Sequence, residues 1–285
     1  LIIVVNDPQE AFFLLAAAWR AKFSFPLIAI TGSVGKTSTK VLIGAIFRAA
    51  GKQCFVAHGN QNSVFGVSLN MARLRESDEI AIFEVGISTQ GEMARIVKYL
   101  QPTTGVITCI GHSHLEGLGS LQGVAAEKRD IFKYFRENCI GIVNGDQPLL
   151  GEMSYSHPVI RFGMRTANQV QARKLKIGDD SVSFTLNLYG KKHEVTVPGL
   201  QKELIMNILA AASVAHYCGV SHETIVQVIQ QPFVRERRFQ KFLLKGGNGV
   251  LIDDAYNASP ESMKSALLAL QLLKIKGKKI AVIGD

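Results

Sequence analysis

With 285 residues, 47% hydrophobic and 19% charged, the chain is long enough for one large core or two domains and too apolar for disorder. The net charge of +9 invites a polyanionic partner, but the basic residues are scattered and cluster only at Lys274, Lys276, Lys278 and Lys279, which argues for a nucleotide-sized anion and against nucleic acid. No apolar run reaches the length of a membrane span, and Cys54, Cys109, Cys139 and Cys218 lie too far apart for a CxxC pair, so they read as small buried hydrophobes of a reducing, cytoplasmic compartment, not as a disulfide or zinc framework.

In chain order, residues 1–5 are expected as a short strand, and the turn Asn6-Asp7-Pro8 opens an amphipathic helix over 10–20. A strand at 27–31, a glycine turn and a helix over 39–50 follow, then a strand at 53–57 and a helix at 67–74. Buried strands are expected at 80–83, 105–109 and 139–143, alternating with helices over 91–100 and 121–137. This alternation implies a mostly parallel α/β sheet covered by helices on both faces. After Pro148 the pattern changes to an antiparallel β-hairpin, 181–188 and 193–197, with helices near 203–217 and 222–230. Strands at 239–244 and 250–252, a helix over 260–273 and an apolar run at 280–283, read as the first strand of a further unit, complete the chain. The first residue is not Met and the last follows that run directly, so the sequence is expected to be an internal piece of a longer protein.

The densest chemical signal is Thr31-Gly32-Ser33-Val34-Gly35-Lys36-Thr37-Ser38, where a strand passes through a glycine turn into a helix. Glycines let backbone N–H groups turn toward phosphate oxygens, and the following helix adds its positive end. Lys36 supplies a point charge for the β- and γ-phosphates and Thr37 a hydroxyl for Mg²⁺. The glycine that usually stands six residues before the lysine is replaced by Ile30, so an ordinary strand-to-helix turn stays open as an alternative. In an open α/β sheet ligands gather at the carboxyl ends of the strands. Glu84 stands there as a metal-ligand candidate, and so do His112, His114 and Glu116, for which zinc, a second Mg²⁺ or no metal at all stay open. Lys128 falls on the stripe of Val124, Ile131 and Phe135, an inward position that asks for a reason, although snorkelling to the surface would also serve. Asp253-Asp254, at another strand end, is a further candidate.

Together the phosphate turn, Gly59-Asn60-Gln61-Asn62, Glu84-Val85-Gly86 with Gly91-Glu92, His114-Leu115-Glu116-Gly117 with Gly119-Ser120, and Leu251-Ile252-Asp253-Asp254-Ala255-Tyr256-Asn257-Ala258 resemble the Mur ligases over nearly the whole chain. The resemblance implies an ATP- and Mg²⁺-dependent carboxylate–amine ligase of peptidoglycan precursor synthesis, monomeric, whose substrates are UDP-MurNAc-tripeptide and D-Ala-D-Ala. It implies a division into 1–23, the tail of a UDP-sugar-binding domain with a linker helix, 24–276, the ATP-binding domain, and 277–285, the start of a Rossmann-like domain. By position it implies nucleotide contacts from Gly32, Ser33, Gly35, Lys36, Thr37, Ser38 and Asn62, an adenine contact from Asn207, a ribose contact from Asp254 and a further nucleotide contact from Arg238. Thr37, Glu84, His114 and a carbamylated Lys128 are the implied metal ligands, and Lys36, Lys128 and His114 the catalytic groups. A sister ligase acting on another amine, such as a folylpolyglutamate synthase, or a non-catalytic nucleotide-binding subunit, are the alternatives.

Overall fold

The computed structural model describes residues 2–200, 202–232, 239–244, 249–275 and 277–284. The elements begin α1 (Pro8–Arg20), β1 (Leu27–Thr31), α2 (Lys36–Ala49), β2 (Cys54–Val56), α3 (Val64–Met71), β3 (Ile80–Glu84), α4 (Glu92–Leu100) and β4 (Thr104–Ile107). They continue with α5 (Leu115–Leu118), α6 (Leu121–Arg129), β5 (Ile140–Asn144), α7 (Pro148–Gly151), β6 (Val159–Gly163), β7 (Val170–Ile177), β8 (Ser181–Leu188) and β9 (Lys191–Pro198). The last are α8 (Lys202–Tyr217), α9 (His222–Ile229), β10 (Gln240–Leu243), β11 (Val250–Asp253) and α10 (Pro260–Leu272).

Strands β1, β3, β4 and β5 are apolar runs buried along their whole length, as a parallel sheet covered on both faces requires. Their side chains alternate between two cores. Ile28, Ile30, Ile82 and Ile142 meet α2 and α8 on one face, while Leu27, Ala29, Phe83 and Val143 meet residues of α1, α4 and α6 on the other. One nine-stranded sheet results, in the order β2-β3-β1-β4-β5-β6-β7-β8-β9, parallel through β7 and antiparallel from there on. The register sets Ile30 of β1 beside Glu84 of β3, so Glu84 ends its strand where the phosphate turn begins.

Several expectations need correction. Residues 2–5 and 280–283 form no strand: an apolar run becomes one only where a neighbour takes up its backbone hydrogen bonds, and neither run has such a neighbour among the described residues. The helix expected over 121–137 stops at Arg129 and tightens into a 3₁₀ turn, Asp130–Phe132. Strands β6 and β7 were not anticipated, and they make the β8–β9 hairpin a continuation of the main sheet. The separate antiparallel pair is β10–β11. Helix α1 packs on α3 and α4, burying Phe13 and Ala16, and Trp19 Nε1 donates to the Leu74 carbonyl at 3.0 Å. Among the described residues no helix is long and apolar enough to cross a membrane.

At the β9 edge of the sheet, three histidines from β9, α8 and α9 form a chain. His193 Nε2 lies 3.1 Å from His222 Nδ1, and His222 Nε2 lies 3.0 Å from His216 Nδ1. Each link needs one N–H and one lone pair, which neutral imidazoles supply and doubly charged neighbours do not. Burial holds both His216 and His222 below the usual histidine range; Lys191 adds to this at His216, and the other two rings and Lys191 add to it at His222. The unfolded chain therefore takes up these protons first, so stability is present above the ordinary histidine pKa and is lost as pH falls below it. The melting temperature is expected to drop by a few degrees more between pH 7 and pH 5 in the wild type than in His222→Gln, a difference that calorimetry at the two pH values measures.

Candidate active site

Gly32 and Gly35 have φ of 147° and 91°, and they let the chain turn from β1 into α2 without side-chain collisions. A Cβ on Gly32 would lie 1.9 Å from Thr108 Oγ1, and one on Gly35 2.2 Å from Asn207 Oδ1. Gly35→Ala is expected to lower stability by about 1–2 kcal/mol, which urea unfolding reads, because it combines a left-handed alanine with that clash. The turn is pinned from beside it: the Ser33 N–H donates to the Cys109 carbonyl at 2.9 Å, and the Val34 N–H to Cys109 Sγ at 3.3 Å.

Lys36 opens α2 and donates to the Gly32 carbonyl at 2.7 Å. Thr37 Oγ1 donates to Glu84 Oε2 at 2.9 Å, and Asn62 Nδ2 to Glu84 Oε1 at 2.7 Å. Lys40 Nζ lies 3.5 Å from Glu84 Oε2, with both side chains 3% exposed, and also donates to the Gly59 carbonyl. A buried carboxylate is tolerable only when paired in this way. Ser33, Gly35, Lys36, Thr37, Asn62, Glu84, His112 and His114 line one cleft of about 540 Å³, closed on its far side by residues 256–260 and Ser262. Lys36, Thr37, Glu84 and His114, expected to converge at the carboxyl edge of the sheet, thus line one cleft.

Lys128 is 1% exposed on α6, inward as its spacing predicted. The preceding Glu127 accepts from the Gly91 and Met93 N–H groups, both at 2.8 Å, and so ties α6 to the start of α4. Burial, and then the Lys36 ammonium, push Lys128 down to about 7. His114 is held below the usual histidine range by burial, then by Lys128 and Lys36, so the Lys36 charge acts on both Lys128 and His114.

The residues expected on the nucleoside side are less gathered. Asn207 is buried on α8 against the phosphate turn, where its Oδ1 accepts from Thr39 Oγ1 at 3.4 Å. Asp254 follows β11 and accepts from the Phe239 N–H at 2.8 Å. Arg238 lies outside the described residues. Ser38 is buried in the first turn of α2. The zinc alternative finds no support: among the described residues no three His, Cys, Asp or Glu side chains gather to hold a metal, and His112 turns instead to Glu261, with Nδ1 2.7 Å from Oε1. Hard oxygens from Thr37 and Glu84 suit Mg²⁺, which keeps several waters and is completed by substrate phosphates. Sequence reasoning missed Lys40, Gln147 and Glu261. Lys40 had a signal, since it stands four residues after Lys36 and therefore on the same helix face.

Comparison with known proteins agrees with this fold. The family described as the Mur ligase middle domain matches residues 30–215. The chain is 35% identical over 287 residues to the UDP-N-acetylmuramoyl-tripeptide–D-alanyl-D-alanine ligase of Bacillus subtilis strain 168, covering 100% of this chain and 61% of that protein. It is 33% identical over 292 residues to the ligase of the same description from Escherichia coli K12, covering 99% and 63%. A crystal structure of MurF from Acinetobacter baumannii superposes with a TM-score of 0.86 at 29% identity, over 95% of this chain and 59% of that one. The chain spans about three fifths of the length of the curated relatives it matches. The matched stretch makes up more than half of the chain and carries the phosphate turn, Glu84, His114 and Lys128, so the chain belongs to the Mur ligase family.

Proposed function

We propose that the full-length protein joins D-Ala-D-Ala to UDP-MurNAc-tripeptide at the expense of ATP, as a cytoplasmic monomer of peptidoglycan precursor synthesis. The observation that carries this reading is the convergence of Lys36, Thr37, Glu84 and His114 on one cleft. The relatives at 30–35% identity support the choice of substrates, since they bear that activity in their names. Four free thiols support a reducing compartment.

A peptide carboxylate acylates amines poorly. In the first step its oxygen bonds to the γ-phosphorus of ATP, the bond to the β-γ bridging oxygen breaks, and ADP leaves an acyl phosphate. In the second the amine attacks the carbonyl carbon, phosphate departs, and the amine loses a proton. Both partners of the first step are anionic, so the site must offset charge. Lys36 and the N-terminal end of α2 hold the transferring phosphoryl group. Lys40 and Asn62 keep the Glu84 carboxylate aimed at Thr37. Thr37, Glu84, His114 and Lys128 would hold Mg²⁺, which supplies charge neutralisation when bound. An ammonium at Lys128 would repel such an ion. A lysine whose pKa lies at about 7 is substantially neutral at physiological pH, and the neutral amine is the form that adds CO₂ to become an anionic carbamate. We assign adenine to Asn207, ribose to Asp254 and a further nucleotide contact to Arg238. Residues 24–276 form the ATP-binding domain in this reading, with 1–23 and 277–285 belonging to its neighbours and α1 as the linker helix.

The test is phosphate release by the full-length protein given UDP-MurNAc-tripeptide, ATP, Mg²⁺ and D-Ala-D-Ala. Release is expected only when all four are present. Equal release with a single amino acid in place of D-Ala-D-Ala would move the chain to a sister ligase, and light scattering checks the monomer.

A further inference from the structure

The segment that leaves β4 and carries His114 has little of its own to hold it. It contains no regular structure before α5, and α5 buries none of its side chains. His114 itself sits at φ 59°, ψ 32°, a left-handed conformation that a residue with a Cβ keeps only where its surroundings impose it. The Ile110 side chain is buried in the core, and the other anchors are polar and come in pairs. The Ile110 N–H donates to Gln147 Oε1 at 2.8 Å, and Gln147 Nε2 donates back to the Ile110 carbonyl at 2.8 Å. The Gly111 N–H donates to Ser33 Oγ at 2.8 Å, and Ser33 Oγ donates to the Gly111 carbonyl at 3.1 Å. The His112 N–H donates to Glu261 Oε1 at 2.9 Å, the same oxygen that meets His112 Nδ1.

The two outer anchors stand on fixed bases. Gln147 precedes α7, its carbonyl accepts from the Leu150 and Gly151 N–H groups, and Leu150 is fully buried. Glu261 lies in the first turn of α10, which is closed by a Ser259–Ser262 capping box and seated by the buried Ala269. Ser33 belongs to the phosphate turn, so its pair registers the segment against the nucleotide side. Gln147 and Glu261 hold it from the other two directions.

We propose that Gln147 and Glu261 are positioning residues that clamp residues 110–112 and so aim His114 into the cleft, Glu261 doing so from α10 on the opposite wall. The inference rests on the reading of His114 as a metal ligand. It makes metal affinity depend on a glutamine that touches neither metal nor nucleotide, and on whether α10 is seated.

The test uses the full-length protein and Mn²⁺ as the probe, titrated by electron paramagnetic resonance with ADP present, beside calorimetric ADP binding without divalent metal. Gln147→Met and Glu261→Ala are each expected to weaken Mn²⁺ binding about tenfold or more, as loss of groups that orient a ligand does. Metal-free ADP binding should stay within about twofold, because the Ser33 pair survives, and Glu261→Gln, which keeps an acceptor for the His112 N–H, should restore Mn²⁺ affinity. Unchanged Mn²⁺ binding in Gln147→Met and Glu261→Ala would overturn the clamp, and so would an equal loss of metal-free ADP binding. If the wild type bound no Mn²⁺ in the presence of ADP, the functional reading itself would fall and the clamp with it.

Discussion

Lys128→Met is expected to abolish most ligase turnover and, in the same protein, to raise stability. An ammonium moved from 10.5 to about 7 by burial and by Lys36 costs the fold up to about 5 kcal/mol while it is charged. The sign follows from where the proton sits. Below pH 7 the lysine is charged in the folded and unfolded chains alike, and the full cost is present. Between pH 7 and 10.5 the folded chain has released the proton and the unfolded chain has kept it, so stability rises with pH; above that window the cost is gone. Methionine fills a similar volume without the charge. Its advantage in urea unfolding should therefore be largest near pH 6 and fade toward pH 10.5, measured in CO₂-free buffer. Phosphate release in Lys128→Met should fall by about 10²-fold or more, and acetate or formate added to Lys128→Ala should restore part of it by replacing the missing anion. Wild-type enzyme held in CO₂-free buffer should regain activity with bicarbonate. Turnover near that of the wild type in Lys128→Met would refute the role.

Lys36→Met is the second large effect, and its contrast with Lys40 gives it meaning. The two lysines stand one helical turn apart on α2. Lys36 points to the turn carbonyl of Gly32 at the cleft, whereas Lys40 is buried against Glu84. Removing Lys36 takes away the charge assigned to the transferring phosphoryl group, so kcat/KM for ATP should fall by about 10³-fold with the melting temperature nearly unmoved. Removing Lys40 strips a partner from a buried carboxylate, and Lys40→Met should cost on the order of 2–3 kcal/mol of stability. A steady-state assay and a urea titration of both variants separate the roles. If Lys36→Met lost stability and kept activity, the assignment of the two lysines would be reversed.

The phosphate turn was legible in the sequence because everything it needs is local. A buried apolar run, two glycines able to adopt positive φ and a helical period after Lys36 lie within a dozen residues, and their geometry follows from backbone sterics. The inward position of Lys128 was legible from Val124 one helical turn before it, whereas Ile131 and Phe135, the rest of the expected stripe, lie beyond the end of α6. Strands β6 and β7 were not. β6 carries Arg161 within its apolar residues, and the outer half of β7 is exposed and basic at Arg173, Lys174 and Lys176, so neither shows the burial pattern of a core strand. Only their neighbours in the sheet make them strands. The expected strands at 2–5 and 280–283 failed in the opposite sense, for apolar sequence without a pairing neighbour is not a strand. The pairing of Glu84 with Lys40, the two-sided clamp on residues 110–112 and the chain of three histidines join residues from separate elements. Sequence alone determined the chemistry available at each strand end. Only the tertiary structure decided which of those groups meet, because contact between residues far apart in sequence depends on sheet register and helix docking, which no short stretch of sequence encodes.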